Sequence, residues 1–147
     1  MKKVRFGLIG AGYIAHYHAR AIIEHKHSEI IAVCGLEEKL LQQFARKYSI
    51  SETTIDAFDL IQREDIDAVV ISTPNKFHAP FAIEFLKNGK DVFIEKPMAM
   101  NVQEGEEVTK TARENKRLVC VGHMWRFDTE VNYIKSVVES GEIGTIF

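Results

Sequence analysis

Only two cysteines, Cys34 and Cys120, occur in the 147 residues. A disulfide-stapled scaffold of the secreted type is therefore excluded, because such folds are dense in half-cystines. Each cysteine ends a predicted buried strand, which reads as a packed, reduced thiol in a cytoplasmic protein. Neither sign of charge is in excess: 19 Lys and Arg stand against 21 Asp and Glu, a formal net charge of −2. That balance offers no electrostatic footing for nucleic acid or for an anionic membrane. No apolar run approaches the roughly 20 residues of a membrane-spanning helix. The basic start, Met1-Lys2-Lys3, precedes an apolar run too short, and too broken by glycine, to be the core of a signal peptide. Internal repeats, low-complexity tracts and linkers are missing from the pattern. No metal site is expected. His16 and His18 lie two apart and so face different sides of a helix, and Glu104, Glu106 and Glu107 read as a solvated helix face. What remains is globular in composition, 46% hydrophobic and 27% charged, and of a size to bury roughly two-thirds of its unfolded surface.

The stretch VRFGLIGAGYIA, Val4 to Ala15, organises the rest. Val4, Phe6, Leu8 and Ile9 read as a short buried strand. Gly10-Ala11-Gly12-Tyr13-Ile14-Ala15 is a G-x-G-x-x-A turn. Beyond it the spacing turns helical, with Ile14, Ala15, His18, Ala19, Ile22 and Ile23 recurring at three and four. Gly10 permits a sharp exit from the strand. Gly12 leaves no Cβ between the backbone and a pyrophosphate, and Ala15 lets the helix approach the sheet. The start of that helix carries unpaired N–H groups and the positive dipole end, worth roughly 0.3–2 kcal/mol to an anion.

Strands then alternate with helices. The spacing predicts strands over Glu29–Cys34, Thr53–Ile55, Asp67–Ser72, Asp91–Ile94 and Leu118–Val121. It predicts helices over Tyr13–His25, Glu37–Tyr48, His78–Asn88 and Thr129–Ser140, with a brief one capped by Asp56. Asn101 and Glu104 form a capping-box pattern that opens a helix reaching Asn115. Val131, Ile134, Val137 and Val138 share one side of the last helix, and Gly144–Phe147 looks like the start of another strand. Alternation of this kind predicts an α/β fold, a doubly wound parallel sheet covered on both faces. The strand ends after the first, fourth, fifth and sixth strands carry the unusual residues, and they are expected to converge on one crevice. Trp125 and Phe127 read by default as core, and His123 as either a crevice residue or a buried imidazole.

The segments GLIGAGYIA, STPNKFHAPFAIEFLKNGKDVFIEKPMA, VGHMWRFDTEV and SGEIGTI resemble the glucose–fructose oxidoreductase / inositol dehydrogenase / MocA family. Similarity runs in register along essentially the whole chain, and the Glu95-Lys96-Pro97 element is its most specific part. The resemblance implies an NAD(P)-binding Rossmann fold that belongs to a dehydrogenase of sugars, polyols or related small molecules. It implies that Gly10, Gly12, Tyr13 and Ile14 line the coenzyme diphosphate. Ser72, Thr73, Pro74, Asn75 and His78 would border the riboses, and Glu95 would bond a ribose hydroxyl. Lys96 would sit near the nicotinamide and the reacting carbon as the catalytic residue, with a cis peptide before Pro97. Arg126 would approach the coenzyme from the end of the sixth strand. A lysine so placed can polarise a hydroxyl or carbonyl for hydride transfer.

The sequence departs from the family in two ways. At the end of the second strand, where the family carries an acid for the adenosine ribose, stand Gly35 and Leu36. Glu37 follows, and no Arg is adjacent to meet a 2′-phosphate. The coenzyme is thus NAD or NADP, with a lean to NAD. The family's C-terminal α/β domain would begin near Phe147 and is not in the sequence. Residues 1–122 read as the dinucleotide-binding core, and 123–147 as a crossover helix and the start of a truncated second domain. A chain of this extent is expected to be incomplete for catalysis, in a family that often assembles into homo-oligomers. Two other readings stay open: a dinucleotide-binding sensor or partner subunit without chemistry, and a methyltransferase, against which the Glu95-Lys96-Pro97 element speaks.

Overall fold

The computed structural model describes residues 3–146. Its strands are β1 Val4–Ile9, β2 Ser28–Cys34, β3 Glu52–Thr54, β4 Ala68–Ile71, β5 Asp91–Ile94 and β6 Val119–Val121. Its helices are α1 Tyr13–Glu24, α2 Glu38–Tyr48, α3 Phe58–Ile61, α4 His78–Lys87, α5 Val102–Glu114 and α6 Thr129–Ser140. Short 3-10 segments cover Asn75–Phe77 and Met124–Phe127. The strands form one sheet in the order β3-β2-β1-β4-β5-β6, every pair parallel. This is the doubly wound order, and it reverses direction between β1 and β4.

Two cores form because successive side chains of a strand point to opposite faces. Leu8, Val33 and Val70 pack with Ala15, Ala19, Ile22, Leu41 and Phe44 under α1 and α2. Ile9, Val69, Ile71, Val92 and Ile94 pack with Ala79, Phe85, Leu86, Val108 and Ala112 under α4 and α5. Phe44 and Phe85 are among the largest fully buried side chains, and truncating either would cost roughly 3–5 kcal/mol. β4, at the centre, is buried at every position, as expected of a strand covered on both faces.

Local signals act as the sequence predicts. Asn101 Oδ1 accepts from the Glu104 amide at 2.9 Å, and Glu104 Oε2 accepts from the Met100 amide at 2.9 Å. Asp56 Oδ1 accepts from the Phe58 amide at 2.9 Å just ahead of α3, although Ala57 and not Asp56 occupies the N-cap position. Arg5 grips Asp67 through Nε and Nη2 at 2.9 and 2.8 Å, fixing the entry of β1 beside β4. Strand and helix bounds coincide with those expected or shift by one residue, as they do when ends fray.

The C-terminal quarter differs from expectation. Cys34 is buried but Cys120 is exposed, because β6 is an edge strand and the side chain of Cys120 has no helix over it. Trp125 is 65% and Phe127 86% exposed, so neither is core. His123 is exposed too. α6 is amphipathic yet buries none of its described residues, and packs chiefly on the 3-10 segment before it. Residues 144–146 form no strand, and Phe147 lies outside the described residues. Among the described residues no helix is long and apolar enough to cross a membrane.

Candidate functional site

The crevice begins where the sheet order reverses. Helical connections leave β1 and β4 towards opposite faces, so their carboxyl ends part and leave a gap. The gap is stitched from below: the Ser72 amide donates to Ile9 O at 2.9 Å, the Gly10 amide to Cys34 O at 2.8 Å and the Gly35 amide to Thr54 O at 3.1 Å. Gly10 has φ +112°, and a Cβ there would lie 2.7 Å from Ser72 O and 2.9 Å from Ser72 Oγ. No other residue fits. Gly12 is different in kind. It is the N-cap of α1 with φ −81° and ψ −171°, makes no side-chain cap, and a Cβ on it would meet nothing within 4 Å. Glycine here keeps space open above the helix start instead of relieving strain below it. Ala15, a buried residue in the first turn of α1, lets that start press on the sheet.

A cavity of about 530 Å³ opens over this turn, within the range of small-molecule sites. Its floor is Ile9 to Gly12. Ser72, Thr73 and Pro74 form one wall, Gly35, Leu36, Glu37 and Leu40 the facing one, and Ile55 to Phe58 with Phe77 and Phe81 the rim. The lining is mostly apolar with a few polar groups. Thr73 Oγ1 is buried and, among the described residues, has no hydrogen-bond partner. The uncapped helix start, the open Gly12 and this hydroxyl together suit a ligand that brings a diphosphate and sugar hydroxyls. A larger, open hollow of about 910 Å³ runs along α5. There the helix start is already capped by Asn101, so it offers no comparable anion site.

Of the residues singled out in the sequence, Gly10, Gly12, Ser72, Thr73 and Pro74 line the cavity. Tyr13 and Ile14 open α1 beside it, Tyr13 exposed and with its hydroxyl 2.8 Å from that of Tyr17. Asn75 is exposed at the start of its 3-10 segment. Lys96 is exposed after β5, and the Lys96–Pro97 peptide is cis. Arg126 is exposed beyond β6. Lys96 and Arg126 therefore stand outside the cavity, and the four strand ends do not converge on one hollow as expected. The reason is sheet order: β5 and β6 lie one and two strand spacings beyond β4, each about 4.8 Å, while the ends of β2 and β3 close the cavity on the other side. Sequence reasoning passed over the β3 end, Ile55 to Phe58, although every carboxyl end in a parallel sheet faces the same side.

His78 is 1% exposed. Its Nδ1 lies 2.7 Å from Pro97 O and its Nε2 2.8 Å from Thr73 O. It thus ties the loop after β4 to the loop after β5 from within, and presents no polar atom to the crevice. Glu95 is likewise engaged. Its Oε1 lies 2.8 Å from His18 Nε2, and its Oε2 accepts from the Lys96 amide at 3.1 Å. A Cβ on Gly122 would come within 3.1 Å of Glu95 Oε1, so the end of β6 is shaped around this carboxylate. The part played by His18 escaped the sequence reading. The available signal was its place in the stripe of α1 with Ala15 and Ala19, which aims it at the sheet. Burial, then Asp56 and Asp59, pushes the Cys34 thiol up to about 11. Among the described residues no group of three or more His, Cys, Asp and Glu is placed to hold a metal ion.

Comparison with known proteins agrees with this geometry. The GFO_IDH_MocA model, an oxidoreductase family with an NAD-binding Rossmann fold, matches residues 4–123. Inositol 2-dehydrogenase of Rhizobium meliloti is 34% identical over 143 residues, which cover 97% of this chain and 43% of that protein. The 2,7-anhydro-N-acetylneuraminate hydratase of Mediterraneibacter gnavus is 33% identical over 147 residues, 99% of this chain and 38% of its own length. Scyllo-inositol dehydrogenase of Lactobacillus casei, solved with NAD(H) and scyllo-inositol, superposes with a TM-score of 0.88 at 31% identity, over 99% of this chain and 43% of that one. The chain thus spans less than half the length of these relatives. It belongs to the glucose–fructose oxidoreductase / inositol dehydrogenase / MocA family of oxidoreductases, and carries that family's NAD-binding Rossmann domain.

Proposed function

We propose that this chain is the coenzyme-binding half of an oxidoreductase that moves hydride between a nicotinamide and a carbinol or carbonyl carbon of a sugar, polyol or related small molecule. The observation that carries the reading is the uncapped start of α1 at Gly12, with open space above it at the point where the sheet reverses. Backbone amides of Gly12, Tyr13 and Ile14 would hold the diphosphate, with Gly10 shaping the turn. Ser72, Thr73, Pro74 and Asn75 would border the riboses. His78, buried beneath them, would set the two loops without touching ligand. Glu95 would accept from a ribose hydroxyl, since a carboxylate oxygen with one donor can take a second. The bound nicotinamide supplies the hydride acceptor or donor. Lys96 would hold and polarise the reacting oxygen beside it, and Arg126 would approach from the end of β6.

Residues 123–147 would form the crossover towards a second, substrate-bearing domain, in a cytoplasmic homo-oligomer. The similarity of this half to a hydratase as well as to dehydrogenases supports a division of labour in which the choice of substrate lies elsewhere. Hydride transfer needs the reacting atoms held within about 3–3.5 Å, which one wall of a crevice does not secure. Calorimetric titration with NAD and NADH is expected to show binding by the folded chain and no NADH production from polyols. Folded protein without binding to either pyridine coenzyme would overturn the reading. Polyol oxidation at an ordinary rate would overturn the division of labour.

A further inference from the structure

We infer that this crevice selects NAD over NADP through Glu37 and Asp56, which stand where a 2′-phosphate would have to lie. The inference rests on the coenzyme-binding reading above and deepens it.

No acid stands directly after β2, where one would ordinarily take this role. Gly35 stands there, and a Cβ on it would meet Ala11 Cβ at 3.3 Å and Leu41 Cδ1 at 3.5 Å. The Leu41 contact is an ordinary one, and a side chain at 35 would need Ala11 to give by a few tenths of an ångström. The next residue, Leu36, is 85% exposed and has no polar atom in its side chain. Discrimination at the adenosine ribose must therefore come from further around the wall.

The cavity lining supplies it. Among the described residues, Glu37 and Asp56 are its charged ones, and no Lys, Arg or His lines it. Glu37 is the N-cap of α2 but makes no side-chain bond to the amides of its own helix. Its carboxylate is left able to accept from a ribose hydroxyl. Asp56 is held on the opposite rim: its amide donates to Thr54 Oγ1 at 3.0 Å, and its Oδ1 accepts from the Phe58 amide at 2.9 Å. It cannot swing far from an incoming anion. A 2′-phosphate would bring up to about two negative charges against this wall. It would find none of the arginine that such a group requires.

The test is coenzyme binding by calorimetry with NAD and NADP, for the natural chain and for Glu37→Gln, Asp56→Asn and the double variant. Both replacements keep an oxygen acceptor at nearly the same place, and thermal melting confirms the fold. NAD is expected to bind the natural chain at least about tenfold more tightly than NADP, a gap of about 1.4 kcal/mol. The double variant should close most of that gap by strengthening NADP. Because the penalty is Coulombic, raising the salt should narrow the gap in the natural chain and not in the double variant. NADP as tight as NAD in the natural chain, or a gap that survives in the double variant, would overturn the inference and leave coenzyme binding standing. No binding of either coenzyme would overturn the underlying reading instead.

Discussion

Substituting alanine at Gly10 and at Gly12 separates what the fold needs from what the ligand needs. At Gly10 the backbone sits at φ +112°, a conformation that costs an L side chain roughly 1–2 kcal/mol. The added methyl would also lie 2.7 Å from Ser72 O. β1 and β4 must then part by a few tenths of an ångström. That stretches the Ser72-to-Ile9 and Gly10-to-Cys34 bonds, now 2.9 and 2.8 Å, each worth about 1 kcal/mol. The sum is a loss of roughly 2–4 kcal/mol, or about 5–15 °C in melting temperature for a domain of this size. At Gly12 the same methyl meets nothing within 4 Å, on backbone that any residue adopts. Poorer capping costs less than about 1 kcal/mol. The methyl would, however, occupy the space above the helix start, so NAD binding should weaken by at least about tenfold, which is 1.4 kcal/mol. Thermal melting by circular dichroism and calorimetric titration below both melting points give the two readouts. Gly12→Ala with unchanged NAD affinity, or Gly10→Ala with an unchanged melting point, would refute the assignment of these glycines.

Three further outcomes are expected. His78→Ala leaves Thr73 O and Pro97 O without the imidazole in a site that is 1% exposed; urea unfolding should show a loss of roughly 2–5 kcal/mol, and a loss under about 1 kcal/mol would show the strap to be idle. The His16 ring, placed against Phe44 and Tyr48, has its pKa lowered from 6.5 by burial and then by Lys47. The unfolded chain therefore takes up more protons near that pH, so stability present above 6.5 is lost as pH falls through the native value. His16→Gln should flatten that slope in urea unfolding between about pH 7.5 and 5, and an unchanged slope would assign it to other groups. α6 buries none of its residues, so its amides should exchange hydrogen far faster than those of β4 and α4; equal protection would mean that the helix is held by contacts not seen here.

The fold was legible because each signal was local and repeated. The glycine turn, the alternation of short apolar runs with 3.6-period stripes, and the Asn101 cap all describe chain segments a few residues long. Parallel pairing then restricts the topology to a few choices. Half of the crevice was legible for the same reason, since Gly10, Gly12 and Ser72 to Pro74 follow strands that the pattern marks clearly. The rest depends on who meets whom across the fold. Glu95 and His18 are 77 positions apart, and nothing in either neighbourhood names the other. His78 looked like a wall residue because it follows Pro74 and Asn75, yet it begins α4 and turns inward to two carbonyls. The stripe on α6 shows where an error of a different sort arises. Amphipathic spacing says that a helix has an apolar side, but not what lies opposite, and Trp125 and Phe127 have no core partner within the described residues.

The separation of Lys96 from the cavity bears on the proposed function more than any single contact does. A binding site for a compact ligand would gather its polar groups into one hollow, and here they are divided. The cavity lies over the β1, β2, β3 and β4 ends, while Lys96 and Arg126 follow β5 and β6. A dinucleotide is an extended ligand with two nucleosides joined by a diphosphate, and in this sheet order it lies across the reversal with one nucleoside on each side. The diphosphate would then sit over Gly12, the adenosine would fill the cavity, and the nicotinamide would reach towards the β5 end. A single mononucleotide or S-adenosylmethionine would fill the cavity and leave Lys96 and Arg126, beyond it, without a ligand to meet. Division of the polar residues between the two sides of the switch point thus favours a dinucleotide over any smaller nucleoside ligand, on grounds independent of the glycine turn.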